Sequence, residues 1–237
     1  MNRLLVIGAS SDLSKSYLKT LKNQDVEIDV LVRNPSKLDQ SNLLIKNIYV
    51  YDLNDIEGLA NFNSDEKYSK IIFFQGIDII KPFALYNVQN ILNTFNINIL
   101  STIYLLNILI SRKNILKGAS IILISSISGV TKGSPGHVLY SSSKAAINGL
   151  VKSLSLELTK RNIRINSISP GLIMTESLFS KNIEILSVEQ KREYIVKYPL
   201  GIGELDSLNG TINFLFEDSS KWITGQNIVV DGGNSNI

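Results

Sequence analysis

The sequence predicts an α/β fold, doubly wound, with a mostly parallel seven-stranded sheet carrying helices on both faces. Three observations carry that expectation. Short apolar runs, most of them rich in Val or Ile, recur along the chain at Arg3–Ile7, Glu27–Val32, Asn47–Val50, Ile71–Phe74, Ser120–Ile124, Arg164–Ile168 and Asn227–Val230. Segments long enough for helices separate them, the alternation expected of βαβ units. The runs are apolar almost throughout rather than alternating, which marks strands buried on both sides.

At 237 residues, with 44% hydrophobic residues and a net charge of +3, the chain suits one domain over 1–237 with a sizeable core. Neither disorder nor a nucleic-acid partner is indicated by that charge. There are no cysteines, which excludes disulfides and thiolate metal sites, and a single histidine, His137, argues against a His-based metal cluster, so no metal is expected. A cysteine-free chain fits a cytoplasmic location. The first apolar run, Leu4–Ile7, is too short for a secretory signal and reads as a first buried strand.

Two helical segments stand out. After Tyr140, residues Ile147, Leu150, Val151, Leu154 and Leu158 repeat at the spacing of a stripe packed on the sheet. The stretch Ile97–Ile110 is the most apolar in the chain but carries Asn98 and Asn107. It also falls short of the roughly 20 residues a bilayer span needs. It reads as a buried helix and no membrane is expected. Ile99, Ile103, Leu106 and Ile110 share one face while Leu105, Ile108 and Leu109 spread over the others. One sheet contact would leave apolar surface, so a subunit interface, in a homodimer or homotetramer, is the natural cover.

Strand Arg3–Ile7 runs into Gly8-Ala-Ser-Ser-Asp-Leu-Ser14, followed by Tyr17, Leu18 and Leu21 at helical spacing. Such a strand, turn and helix N-terminus aims backbone N–H groups and the helix dipole at a pyrophosphate, with Gly8 supplying the unusual backbone angle and Ser10 and Ser11 further donors. Without a ligand the same residues read as an N-cap at Ser11 or Asp12. After the second run comes Arg33, where an acidic residue would accept from a ribose 2′-hydroxyl; an arginine suits a 2′-phosphate.

Tyr140-Ser-Ser-Ser-Lys144 places a phenol and an ammonium one helical turn apart. A free phenol, with a pKa near ~10, is a poor acid or base at neutral pH; a fixed cation beside it lowers that value toward the useful range. In a chain with nine tyrosines such a pair also arises by chance, so its neighbours decide its meaning.

Those neighbours, in order, are Gly8, Arg33, Asp52-Leu53, Gly76, Asn98, Ser125-Ser126, Tyr140 and Lys144, Pro170-Gly171 with Thr175, and Thr224-Gly225-Gln226 before Asp231-Gly232-Gly233. In this series the chain resembles, nearly end to end, the short-chain dehydrogenase/reductase family, in the branch that includes 3-oxoacyl-carrier-protein reductases and hydroxysteroid dehydrogenases. The resemblance implies a Rossmann-like fold and an oxidoreductase that interconverts a carbonyl and a secondary alcohol. It implies Tyr140 as proton donor and acceptor and Lys144 lowering its pKa and holding the nicotinamide ribose. Ser126 would bind the substrate oxygen, and Asn98 would help hold a water that links Lys144 to solvent. The cofactor, NADP(H) in preference to NAD(H), would be bound by Gly8, Ser10, Ser11, Asp12, Leu13, Arg33, Asp52, Leu53, Gly76, Tyr140, Lys144, Pro170, Gly171, Ile173 and Thr175. The substrate would be a small carbonyl or alcohol, or an acyl-linked one, under a lid at 176–199 with an apolar face of Leu178, Phe179, Ile183, Ile185 and Leu186.

The chain departs from that pattern in places. Asp12 and Ser14 stand where the family has glycines, and Asp12 brings a negative charge toward a phosphate site unless it faces the helix N–H groups. Gln75 stands in a stretch that the family keeps small, and would crowd the cofactor wall. The Ser126–Tyr140 interval is one residue longer than expected, which places an insertion at 130–135 and makes Ser128 a second candidate for the substrate-binding serine. His137 would shape the substrate mouth. A non-catalytic dinucleotide-binding homologue and a reductase of a sugar or sugar-nucleotide are the alternatives.

Overall fold

The computed structural model describes residues 2–22, 24–38, 45–175 and 196–237. Its strands are β1 (Arg3–Ile7), β2 (Glu27–Val32), β3 (Ile45–Val50), β4 (Tyr68–Phe73), β5 (Ile115–Ile124), β6 (Arg164–Pro170) and β7 (Asn227–Val230). They form one seven-stranded sheet in the order β3-β2-β1-β4-β5-β6-β7. Every pairing is parallel, so "mostly parallel" becomes wholly parallel.

The apolar strands divide their side chains between two cores. Leu5, Ile7, Ile71, Phe73, Ile121 and Leu123 face one side, and Leu4, Val6, Ile72, Ile122 and Ile124 the other. On the first side lie α2 (Val88–Phe95), α3 (Ser101–Ser111) and α4 (Val138–Leu158); on the second lie α1 (Asp12–Thr20) and α5 (Asn209–Phe216). Covering both faces is what lets successive strand residues all be apolar. Ile147, Val151 and Leu158 of α4 are buried in the first core with Leu150 and Leu154 packed against it, as their spacing predicts.

The structure moves the starts of three strands, and ends β4 at Phe73 and β6 at Pro170. β3 begins at Ile45 and β4 at Tyr68, each earlier than expected; Tyr68 is fully buried despite its hydroxyl, which donates to the buried carboxylate of Asp29 at 2.9 Å. β5 begins at Ile115 because exposed Lys117 and Gly118, the latter at φ +81°, bulge out of an otherwise continuous strand.

The apolar stretch after Asn87 is longer than its sequence reading. α2, a π-turn at Asn96–Leu100 and α3 form one helical run, Val88–Ser111, of 24 residues, long and apolar enough by composition to cross a bilayer. Its buried positions are Thr94, Asn98, Ile99, Ser101, Thr102, Leu105, Leu106, Ile108 and Leu109, which pack it beside the sheet. Small polar residues thus belong to the buried stripe, and Ile103, expected on it, is 44% exposed.

Candidate active site

The sheet order turns between β1 and β4, and the crevice at the carboxyl ends of these strands is where this architecture binds ligands. Gly8 leaves β1 at φ +75°, and a Cβ there would lie 2.8 Å from the Gln75 backbone nitrogen, so the approach of the β1 and β4 ends admits only glycine. Ser11 is the N-cap of α1, its hydroxyl accepting from Ser14 N at 3.2 Å. Asp12 is therefore the first residue of the helix and not its cap; a carboxylate there suits the dipole but would compete with a phosphate. Ser10 and Leu13 sit half-buried beside it. Ser14 is fully buried, and its hydroxyl has no partner among the described residues. A glycine cradle under a helix N-terminus fits a pyrophosphate, with Asp12 as the unfavourable element.

Arg33 is exposed just past β2. Asp52 is exposed past β3, accepting from Asn54 N at 2.9 Å, while the Leu53 side chain is part of the core, leaving only its backbone for a ligand. Gly76 stands directly against Lys144: a Cβ would come within 3.0 Å of Nζ. Gln75 does not crowd this wall with its side chain, contrary to the sequence expectation. It turns toward α3, where its Nε2 donates to Thr102 Oγ1 at 2.7 Å.

Tyr140 and Lys144 lie on the inner face of the first turns of α4. The Lys144 ammonium is 5.8 Å from the Tyr140 ring centroid and donates to the carbonyls of Ile124 at 2.7 Å and Gln75 at 3.3 Å. Burial lowers its pKa to about 8. The Tyr140 phenol is pushed up to about 12, first by burial; a hydrogen bond with the Ser126 side chain lowers it and the Asp78 charge raises it. In this geometry the net shift of the Tyr140 phenol is upward, because burial outweighs what lowers it. Ser126 is buried and also accepts from Ser128 N at 3.2 Å, which fixes the short turn at Ile127–Gly129. Of the two candidate serines, Ser126 is the one whose side chain acts on the Tyr140 phenol.

Asn98 sits in the π-turn, buried, with Oδ1 accepting from Ile77 N at 2.8 Å and Nδ2 donating to Ile77 O and Ser143 Oγ, each at 2.9 Å. Ser143 in turn donates to the Tyr140 carbonyl at 2.8 Å. Asn98 therefore braces the segment after Gly76 against α4; π-turns of this kind often mark functional sites. These bracing partners, Ile77 and Ser143, had no signal in the sequence beyond adjacency to Gly76 and Lys144.

Pro170 ends β6, and Gly171 follows where a Cβ would lie 2.8 Å from that of Asp231. Ile173 is buried and bridges to Gly203; Thr175, half-buried, is the last described residue before 176–195. Most of the expected lid, including Leu178, Phe179, Ile183, Ile185 and Leu186, lies outside the described residues. The structure thus gathers Gly8, Gly76, Asn98, Ser126, Tyr140 and Lys144 at one end of the sheet.

A family model described as "Enoyl-(Acyl carrier protein) reductase" matches residues 71–235. A 3-oxoacyl-(acyl-carrier-protein) reductase of Rickettsia conorii is 30% identical over 97% of this chain and 95% of its own length. A 7alpha-hydroxysteroid dehydrogenase of Bacteroides fragilis is 27% identical over 98% and 94%. The solved structure of a 4-hydroxyisoleucine dehydrogenase complexed with NADH superposes over the full length of both chains with a TM-score of 0.88 at 25% identity. With a nicotinamide dinucleotide as cofactor and carbonyl–alcohol interconversion as the general reaction, the chain belongs to the short-chain dehydrogenase/reductase family of oxidoreductases.

Proposed function

We propose that this chain is an NADP(H)-dependent carbonyl reductase in which Tyr140 donates the proton. The observation that carries the reading is the half-buried Tyr140 phenol beside Ser126 with Lys144 beneath it. The phenol is protonated at neutral pH and so carries the proton that reduction needs, although at a pKa of about 12 it releases that proton less readily than a free phenol. Ser126 would hydrogen-bond the carbonyl oxygen and stabilise the charge that builds there. Lys144 would hold the cofactor ribose and return a proton toward the phenol, with Asn98 keeping the relay's wall in place. The bound nicotinamide would supply the hydride.

Arg33, exposed past β2 with no acidic residue beside it in sequence, supports a 2′-phosphate and hence NADP(H) over NAD(H). Two relatives that reduce or oxidise acyl-linked and steroid substrates, by their names, support an apolar or acyl-linked carbonyl under a lid spanning 176–199. Val88, Leu92, Leu100 and Ile103 leave an exposed apolar strip along α2 and α3, supporting a homodimer or homotetramer.

The test is NADPH oxidation across a panel of ketones and 3-oxoacyl thioesters, repeated with NADH and with Arg33→Asp. The reading expects turnover with NADPH and a more than tenfold fall in the NADPH preference of the variant; binding with no turnover of any substrate would contradict it. That last outcome favours the second reading, a dinucleotide-binding homologue without turnover, for which Asp12 in the phosphate turn is the supporting observation.

A further inference from the structure

His137 is the only histidine in the chain and stands at the N-cap position of α4, three residues before Tyr140, yet its side chain makes no capping bond. Its Nδ1 lies instead 2.7 Å from Asp78 Oδ2, both side chains partly exposed. This contact joins the segment after Gly76 to the start of α4, and two more reinforce it. Lys81 N donates to Gly136 O at 3.1 Å, and the Tyr86 hydroxyl donates to the same carbonyl at 2.5 Å. Gly136 sits at φ +81°, which strains any other residue, and a Cβ there would press on Ile80 Cγ2 at 3.0 Å. The first turn of α4 is thus pinned from outside by the segment that Asn98 pins from inside.

We infer that His137 and Asp78 form a protonation-dependent positioning pair that pins the first turn of α4, so that one imidazole governs the setting of Tyr140. Its catalytic meaning rests on the proposed function; its geometry does not. Asp78 acts on both rings: its hydrogen bond raises the pKa of His137, and its charge raises that of Tyr140. The other charged groups nearby among the described residues are otherwise engaged. Lys81 Nζ donates to Asn90 Oδ1 at 3.1 Å, Lys132 Nζ to backbone oxygens of Asn234 and Ile237, and Lys144 to Ile124 and Gln75. The Tyr86 hydroxyl is bound to the Ile79 and Gly136 carbonyls.

The sign follows. While His137 is protonated it balances the Asp78 carboxylate. Once it loses its proton the carboxylate stands unbalanced, and Tyr140 is held more firmly in its protonated form.

Because there is one histidine, its imidazole gives an unambiguous NMR titration, and the Tyr140 amide can be followed in tyrosine-labelled protein, assigned by its loss in Tyr140→Phe. We expect a His137 midpoint above the ordinary ~6.5, with the Tyr140 signal moving at the same midpoint. In Asp78→Asn the His137 midpoint falls and the Tyr140 movement vanishes. His137→Gln, which keeps a neutral donor to Asp78, should be folded with a flat Tyr140 signal from pH 5 to 9. A Tyr140 signal that ignores the His137 titration, or a His137 midpoint unchanged in Asp78→Asn, overturns the inference. In alcohol oxidation, the rise of kcat/KM with pH should move to lower pH by about one unit in Asp78→Asn; an unmoved profile also overturns it. Absence of any turnover would sink the proposed function while the NMR titration still decides this pair.

Discussion

Lys144 lies beneath the Tyr140 ring, 5.8 Å from its centroid, but gives its hydrogen bonds to the carbonyls that end β5 and follow β4. A spacing of four residues brings the two side chains together, as helix geometry requires. What the spacing does not reveal is that the ammonium first serves the strand ends, holding Ile124 and Gln75 in place under the site. The acidity of the phenol is then set first by burial, with Ser126 lowering its pKa and the Asp78 charge raising it.

The buried ammonium makes stability pH-dependent. The Lys144 pKa is lowered from 10.5 to about 8, so below pH 8 the folded chain carries the full cost of burying a charge. Between about pH 8 and 10.5 the folded state binds fewer protons than the unfolded one, and the contribution of this group to stability rises with pH. Urea unfolding of the wild type and Lys144→Met from pH 7 to 10 should show the wild type gaining on the variant by roughly 2 kcal/mol. Tyr140, raised to about 12, loses its contribution only from pH 10 upward and is present in both chains. A pH-independent difference would contradict this account.

Gly8 tests the cradle. An alanine would need a positive φ and would press its Cβ to 2.8 Å from the Gln75 nitrogen. Gly8→Ala should cost about 1–3 kcal/mol in denaturant unfolding and weaken NADPH binding measured by fluorescence titration. Gly149, whose added Cβ meets nothing within 4 Å, serves as the control.

Ser14 tests the altered turn. Its buried hydroxyl is unpaired among the described residues, and it lies inside α1. Ser14→Ala should stabilise by about 1 kcal/mol, through loss of an unsatisfied polar group and gain of helix propensity. A loss of stability would mean that the hydroxyl has a partner.

Asn98 makes three hydrogen bonds from a buried site, two of them to the Ile77 backbone. Asn98→Ala should cost roughly 2–4 kcal/mol and speed hydrogen exchange at the Ile77 amide more than at the centre of β4. Equal acceleration at both would indicate only global loosening.

The strands were legible because both faces of the sheet are covered, which makes apolar runs such as Arg3–Ile7 and Glu27–Val32 continuous; those two match the structure to the residue. The ends of β4 and β5 were not, because Tyr68 and Asn114 are polar residues buried through specific hydrogen bonds and Gly118 interrupts a strand without ending it. The π-turn left no trace in the apolar pattern, since its packing relies on Asn98, Ser101 and Thr102. At the site, residue types announced Gly8, Tyr140 and Lys144. Where Gln75 points, and which group the ammonium bonds, depend on side chains of α3 and carbonyls of β5 that only the fold brings near.

The central claim is that Tyr140 delivers the proton that accompanies hydride transfer. The most direct measurement is the single-turnover rate of NADPH oxidation with a reactive ketone in the wild type and in Tyr140→Phe, with NADPH affinity measured alongside. The account predicts a loss of about 10²–10⁴-fold in rate with NADPH binding retained. An unchanged rate in the variant would contradict it.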